Sequence, residues 1–347
     1  MDHVGILKRA FNITRRYRVL WIFGVLLALF GSGGGGNGGA NGTRFTLPGA
    51  GEGSFPGTLP PGITLPSMES GPIIGIVIAC CCLLLLVVAA SVVISYVART
   101  SLYRMVNQIE DTGVSPSWRE GLRLGWSRRA ARLFGIDLAV GVPFAIAVIL
   151  LVAIALLPLL LMTLETDATT ALGIVLAIGL LLLVIVVLIV AGVLVNLAKR
   201  FMHRQAALED RSIGQSIVYG YQIVRTNLRD SAVMWLLMFG VGLGWGIVMI
   251  PVFIVVLLLA ALVGGLPAWA IWQATEALWP TLLVGIPLFL LIMVPVLTFL
   301  NGLYLVFQSS SWTLTYREFR ARELVLDAPP PPEPLDEEEM ETILEIE

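Results

Sequence analysis

Apolar and polar positions along this chain fall in blocks, with long uninterrupted apolar runs separated by short amphipathic ones. The clearest amphipathic block lies between Ser212 and Arg229, SIGQSIVYGYQIVRTNLR. Ser212 and Gln215 have the spacing of a capping box, in which each side chain satisfies a backbone N–H left free at a helix start. Ile213, Ile217, Val224 and Leu228 then follow at steps of four, seven and four, one face of a 3.6-residue period. Gln222, Arg225 and Arg229 take other faces. The pattern predicts an amphipathic helix, an arm, over 212–229.

The same block occurs 95 residues earlier. There Ser117 and Glu120 form the box, Leu122 stands for Ile217, Gly125-Trp126 for Gly220-Tyr221, and Leu133 for Leu228. It occurs again at the N-terminus, with Asp2 as cap, Leu7 as the apolar residue and Ala10-Phe11 as the small-aromatic pair. A second register supports the first: Tyr103-Arg104, His203-Arg204 and Tyr316-Arg317 each follow the second apolar run of a unit. These recurrences read as a threefold internal repeat of arm plus two spans.

The apolar runs cover 19–30, 72–98, 134–161, 171–198, 232–263 and 281–308. The first run is short, about 18 Å of helix against a bilayer core of about 30 Å. Tyr17 and Arg18 are expected to extend it to 17–30, with Arg16 and Arg18 snorkelling to the inner surface. A basic start ahead of a short apolar core also fits a signal peptide. Of the 22 Lys and Arg residues, 21 fall in segments that alternate onto one side, Arg44 being the exception. Cytoplasmic loops are the ones enriched in Lys and Arg, so six spans with both termini cytoplasmic follow. The expected fold is therefore an all-α integral membrane protein of the cell inner membrane. Its domain would span 1–322, with an amphipathic cytoplasmic arm before each odd-numbered span.

Composition sharpens this picture. With 57% hydrophobic and 13% charged residues, a soluble domain is excluded, since those carry about 25% charged residues. From 31 to 71 the chain turns to Gly, Pro, Ser and Thr, a flexible outer loop by composition. It lacks the strand and the Lys-Ser/Thr helix start of a phosphate loop. The contiguous Cys80-Cys81-Cys82 point about 100° apart on a helix and cannot converge on one metal. In the outer loop 264–280, Trp269, Trp272 and Trp279 suit a short helix in the headgroup belt; a carbohydrate-stacking platform is the sharper alternative. Gly240, Gly242, Gly244 and Gly246 give overlapping G-x-x-x-G spacings for close helix approach. The tail 323–347 is Pro-rich and acidic; its end, around Met340, Ile343 and Leu344, has the spacing of a short helix.

Candidate chemistry is sparse. His3 and His203 are the two histidines, both in basic segments beside the membrane, where an interfacial role is expected. Asp137 is the one ionisable residue inside a run and lies near its inner end, whereas ion-coupled transporters carry such groups at mid-membrane. Asn196 and Asn301 lie at matching depth and can hydrogen-bond between helices. Glu165 and Asp167 belong to the short outer loop as solvated charges. Prolines 143, 158, 251, 287 and 295 imply kinks. No nucleophile elbow, HExxH or paired-carboxylate pattern occurs. No catalytic, cofactor-binding or metal-binding residue is therefore expected, and no cofactor.

The capped arms, the SIGQSIVYGYQIVRTNL segment and the closing SSSWTLTYREF resemble a group of bacterial six-span proteins, similar to the membrane domain fused ahead of some glycerophosphodiester phosphodiesterases. In those enzymes the chemistry belongs to a separate soluble barrel, so the resemblance implies a membrane module without that activity. The function expected is a non-enzymatic membrane scaffold or accessory protein. It would contact membrane lipids or other membrane proteins through its arms, without nucleic acid. The alternative is a transporter or channel for a small or lipidic molecule.

Overall fold

The computed structural model describes residues 1–31, 70–114, 116–164 and 167–326. The Gly-rich segment after Gly31, Glu165, and the acidic tail with its expected helix after Leu326 lie outside these. Every regular element among the described residues is helical. The three arms begin where the cap residues stand. Helix α1 (His3–Arg16) starts at Asp2, whose carboxylate accepts the Gly5 N–H at 2.8 Å. Helix α4 (Trp118–Gly125) starts at Ser117, which accepts the Glu120 N–H at 3.3 Å. Glu120 itself turns to Gln108, so that box is half formed. Helix α7 (Ile213–Thr226) has the complete box, with Ser212 and Gln215 bonded reciprocally at 3.4 and 3.3 Å.

Between the arms run the long helices: α3 (Ser70–Thr112), α5 (Arg128–Leu156), α6 (Asp167–Leu208), α8 (Leu228–Thr275) and α9 (Leu278–Leu326). A 3₁₀ segment, Leu157–Leu164, continues α5. All five have the length and apolarity to cross a membrane. In the most apolar stretch of each, between 6% and 11% of positions are buried, so few side chains there are enclosed by the protein itself. That arrangement is stable where the surroundings are as apolar as the side chains.

Two expectations are corrected here. The first apolar run forms α2 (Val19–Phe30) and does not extend back over Tyr17 and Arg18, which form the turn after α1. At 12 residues it is about 18 Å long, short of a bilayer core. The segment 264–280 holds no separate headgroup helix either. Helix α8 continues through Pro267 to Thr275 and carries Trp269 and Trp272 itself.

The packed core lies at one end of the bundle, where α1, α4 and α7 gather; we call it the basic end. The N-terminal arm is tied there. Arg9 pairs with Glu110, the Tyr17 hydroxyl donates to the Gly113 carbonyl at 3.0 Å, and His3 lies 3.6 Å from Asp230. The post at the centre is the stretch of α9 from Ser309 to Tyr316, buried at every position. Against it pack Leu20 and Phe23 of α2, Met105 of α3 and Phe201 of α6. Higher up, one of the expected glycines lies at a contact, since a Cβ on Gly242 would stand 2.9 Å from the Tyr304 hydroxyl of α9, and others join it. Gly240 and Gly244 face open space, whereas a Cβ on Gly264 would stand 2.8 Å from the Gly285 oxygen. Likewise a Cβ on Gly302 would stand 2.8 Å from the Val25 nitrogen of α2.

Gly302→Val should therefore force α2 off α9 and destabilise the protein by about 1–3 kcal/mol, the usual cost of overpacking. Gly240→Ala serves as the neutral control. Thermal unfolding in a mild detergent measures both, and equal midpoints for the two variants would mean that the α2–α9 contact is not a packing constraint.

Candidate functional site

The end of α6 carries Lys199, Arg200, His203 and Arg204, two pairs one helical turn apart and so on one side of the helix. Helix α3 brings Tyr96, Arg99 and Tyr103 to that side, α5 brings Asp137, and α9 brings Ser309 and Trp312. Arg99, Tyr103, the four α6 residues, Ser309 and Trp312 line a cavity of about 30 Å³, completed by Leu27, Leu102 and Leu305. That is room for about two waters or one compact oxyanion.

Asp137 is the acidic hub beside this cavity. It lies 3.3 Å from Lys199 Nζ, 3.3 Å from His203 Nε2 and 3.9 Å from Arg99 Nη1. Tyr96 donates its hydroxyl to the carboxylate at 2.7 Å. Asp137, Lys199, His203 and Arg99 are all buried. Burying a charge costs several kcal/mol unless partners surround it, and here each charge has one. Arg204 is held differently. Its guanidinium lies over the Tyr103 ring at 4.6 Å and donates to the Ser309 carbonyl and the Thr313 hydroxyl at 3.3 Å. Arg200 lies over the Trp312 ring, 4.8 Å from its centroid. Among the described residues neither Arg200 nor Arg204 has a carboxylate within ion-pair distance.

The sequence presents Asp137 and His203 as separate interfacial groups, yet they stand in contact, 3.3 Å apart. The available signal was depth, since both stand within a turn or so of the basic ends of runs 134–161 and 171–198. Asn196 reaches the cavity, but its side-chain oxygen is buried without a hydrogen-bond partner, against the expected interhelical bond.

A second surface is formed by the arms. In each one the small residue of the small-aromatic pair is buried and its aromatic neighbour is exposed: Phe11 59%, Trp126 72% and Tyr221 56%. The small residue is a packing requirement. A Cβ on Gly220 would meet Met202 of α6, and one on Gly125 would meet Ser101 of α3, while α1 packs on α9. The apolar stripe of α7 also turns inward: Val224 is buried, and Ile213 and Ile217 pack against a cluster containing Ala206 and Ala207. The face left outward carries the aromatics and exposed arginines, with Arg15, Arg123 and Arg225 one turn from Phe11, Trp126 and Tyr221.

Next to α7, Asp210 closes the turn after α6 with a left-handed backbone, φ 57°, a region that Asp and Asn tolerate. Arg129, 3.3 Å away, together with Arg132 at 2.5 Å, holds its carboxyl below the ordinary carboxylate range.

Long apolar helices rising from a polar, cation-rich layer define an α-helical membrane protein. The chain belongs to the family of unknown function DUF7544, whose model matches residues 4–311. No curated protein and no solved structure matches it.

Two outcomes follow. Asp137→Ala leaves buried cations unpaired and should cost about 3–5 kcal/mol of stability. Tyr96→Phe removes one hydrogen bond and should cost about 1 kcal/mol. Chemical denaturation of both variants measures this; a milder effect of the Asp137 change would show that the carboxylate does not organise the cluster. The Asp210 contribution, from a lowered carboxyl, is present above the unfolded value of about 3.9 and is lost as pH falls through the folded one. The stability difference between the parent and Asp210→Asn should therefore vanish in strong acid, and a difference unchanged by pH would refute the ion pair.

Proposed function

We propose that this chain is a non-enzymatic membrane scaffold or accessory protein with both termini cytoplasmic, whose three arms rest in the inner headgroup layer. One observation carries the reading. Each arm turns its small residue toward the bundle and sets an exposed aromatic beside an exposed arginine on the outward face. An aromatic ring suits the boundary between acyl chains and headgroups, and an interfacial Arg contributes about 1 kcal/mol on an anionic membrane. The arms thus meet lipid with an aromatic-basic face, while their aliphatic stripe holds them to the protein.

Six crossings belong to the same proposal. The α1 arm contacts Glu110 and Gly113 at the end of α3, whereas Ser70 stands at the start of that helix, 43 residues long. The chain must change sides between these points, and α2 lies on that path, alongside α9. The recurrence of cap, buried small residue and exposed aromatic supports three arm-plus-hairpin units. So does the resemblance to six-span membrane modules of the phosphodiesterase type.

Spin labels at Phe11, Trp126 and Tyr221, in nanodiscs containing phosphatidylglycerol, test the arms. Relaxation by lipid-soluble oxygen should exceed relaxation by a water-soluble nickel chelate at all three sites. Preferential relaxation by the chelate would put the aromatics in water and end the lipid-contact reading. Orientation is tested by single cysteines at Ala274 and Gln222, both exposed. An impermeant reagent added outside should label the first only; labelling of Gln222→Cys would reverse the topology. Gln205 is no substitute reporter, being 1% exposed.

A further inference from the structure

We infer that the cavity between α2, α3, α6 and α9 is a binding site for a phosphate group, either free phosphate or the phosphomonoester of a lipid headgroup. The first ground is charge. Arg99, Lys199, Arg200 and Arg204 bring four permanent cations to the wall, with His203 beside them. Asp137 is the single carboxylate in contact with this set among the described residues. Arg200 and Arg204 have no carboxylate within ion-pair distance among the described residues, which leaves two positive charges beside the cavity. Charges buried in a protein need compensation close by, and a doubly charged oxyanion answers most of the excess.

The second ground is the donors. Arg200 Nε, Trp312 Nε1 and the Ser309 hydroxyl are all buried without a hydrogen-bond partner, and all three residues line the cavity. Native structures rarely leave buried donors unmade, and three on residues around one cavity, outnumbering the one unmade amide oxygen there, that of Asn196, favour a ligand that accepts. Their chemistry fits phosphate. A guanidinium matches paired phosphate oxygens, and an indole N–H can only donate. Carboxylates offer fewer oxygens and a single charge, so they would leave the excess partly unbalanced.

Third comes size. About 30 Å³ for atom centres accommodates a tetrahedral ion whose oxygens all lie one bond length from phosphorus. The apolar remainder of the wall, Leu27, Leu102 and Leu305, offers nothing to a second charged group. This inference stands apart from the lipid contact of the arms, which uses other residues on the outward surface.

The full chain in dodecyl maltoside is titrated with inorganic phosphate, following thermal midpoint and the binding of radiolabelled phosphate. In parallel, the midpoint is read in phosphatidylcholine nanodiscs with and without phosphatidic acid, which presents a phosphomonoester. Saturable one-site binding of inorganic phosphate identifies the free ion as a sufficient ligand. Stabilisation by phosphatidic acid alone identifies the lipid headgroup. In either case Arg200→Gln and Trp312→Phe should each weaken the response about tenfold, the worth of one charge-assisted bond. Arg225→Gln, an exposed arm residue, should leave it intact. Trp312→Phe keeps the aromatic ring and so tests the donor even if the Arg200 variant fails to fold. No response in either arm overturns the site, as does an equal response to sodium chloride at matched ionic strength. A response undiminished in Trp312→Phe overturns it too.

Discussion

A helix buried on every face has to be made of residues that leave room for its neighbours and still satisfy their own polar atoms. The Ser309–Tyr316 stretch of α9 meets the first half of that condition throughout and the second through Ser311, Thr313 and Thr315, and the basic end depends on it. The Ser311, Thr313 and Thr315 hydroxyls each donate to the carbonyl one turn back, at 2.9 Å, so most of their polarity is discharged within the helix. The small side chains then let α1, α3 and α6 close in, while Trp312 fills the space where Phe201 meets it edge-on at 5.9 Å. A Leu-rich post would hold the same neighbours further apart and would lose the Thr313 hydroxyl that accepts from Arg204. The cavity, the ion pairs and the seating of the arms all sit on this spacing.

Around the post, charge fixes register. Beyond Tyr316, three arginines of α9 each reach an acid on a different element. Arg317 meets Asp111 of α3 at 2.6 Å, Arg320 meets Glu209 after α6 at 2.8 Å, and Arg322 meets Asp230 of α8 at 3.1 Å. Tyr316 adds its hydroxyl to the same Glu209. Half-exposed pairs of this kind are individually worth about 0–1 kcal/mol, so they select one rotation of the bundle more than they stabilise it. The Asp137 cluster, fully buried, is the opposite case: costly to form and costlier to break.

Much of this was legible in the residues. Cap spacing located all three arms, and the length of the apolar runs located the five long helices, because both are local signals of a few residues. What stayed hidden needs three dimensions. The pairing of Asp137 with His203 depends on how α5 and α6 lie together, which no spacing within either segment encodes. The apolar periodicity of α7 names a face without naming what covers it; Met202 and Ala206 cover it. Of the glycines in 240–246, Gly242 meets Tyr304 while Gly240 and Gly244 face open space; the close backbone approaches are at Gly264 and Gly302, outside that motif. For α2, a run of 12 residues was stretched to meet a membrane thickness, and the turn at Tyr17 did not follow.

The placement of the post also has a meaning in time. Ribosomes deliver a chain from its N-terminus, and earlier segments generally fold first. Here the segment at the centre of the packed end emerges after the eight other α-helices among the described residues. Until then α1, α2 and the ends of α3 and α6 lack the post they share, although the Asp137 cluster, drawn from α3, α5 and α6, can already form. The long helices can enter the bilayer one hairpin at a time. The packed end can only close once α9 has been made.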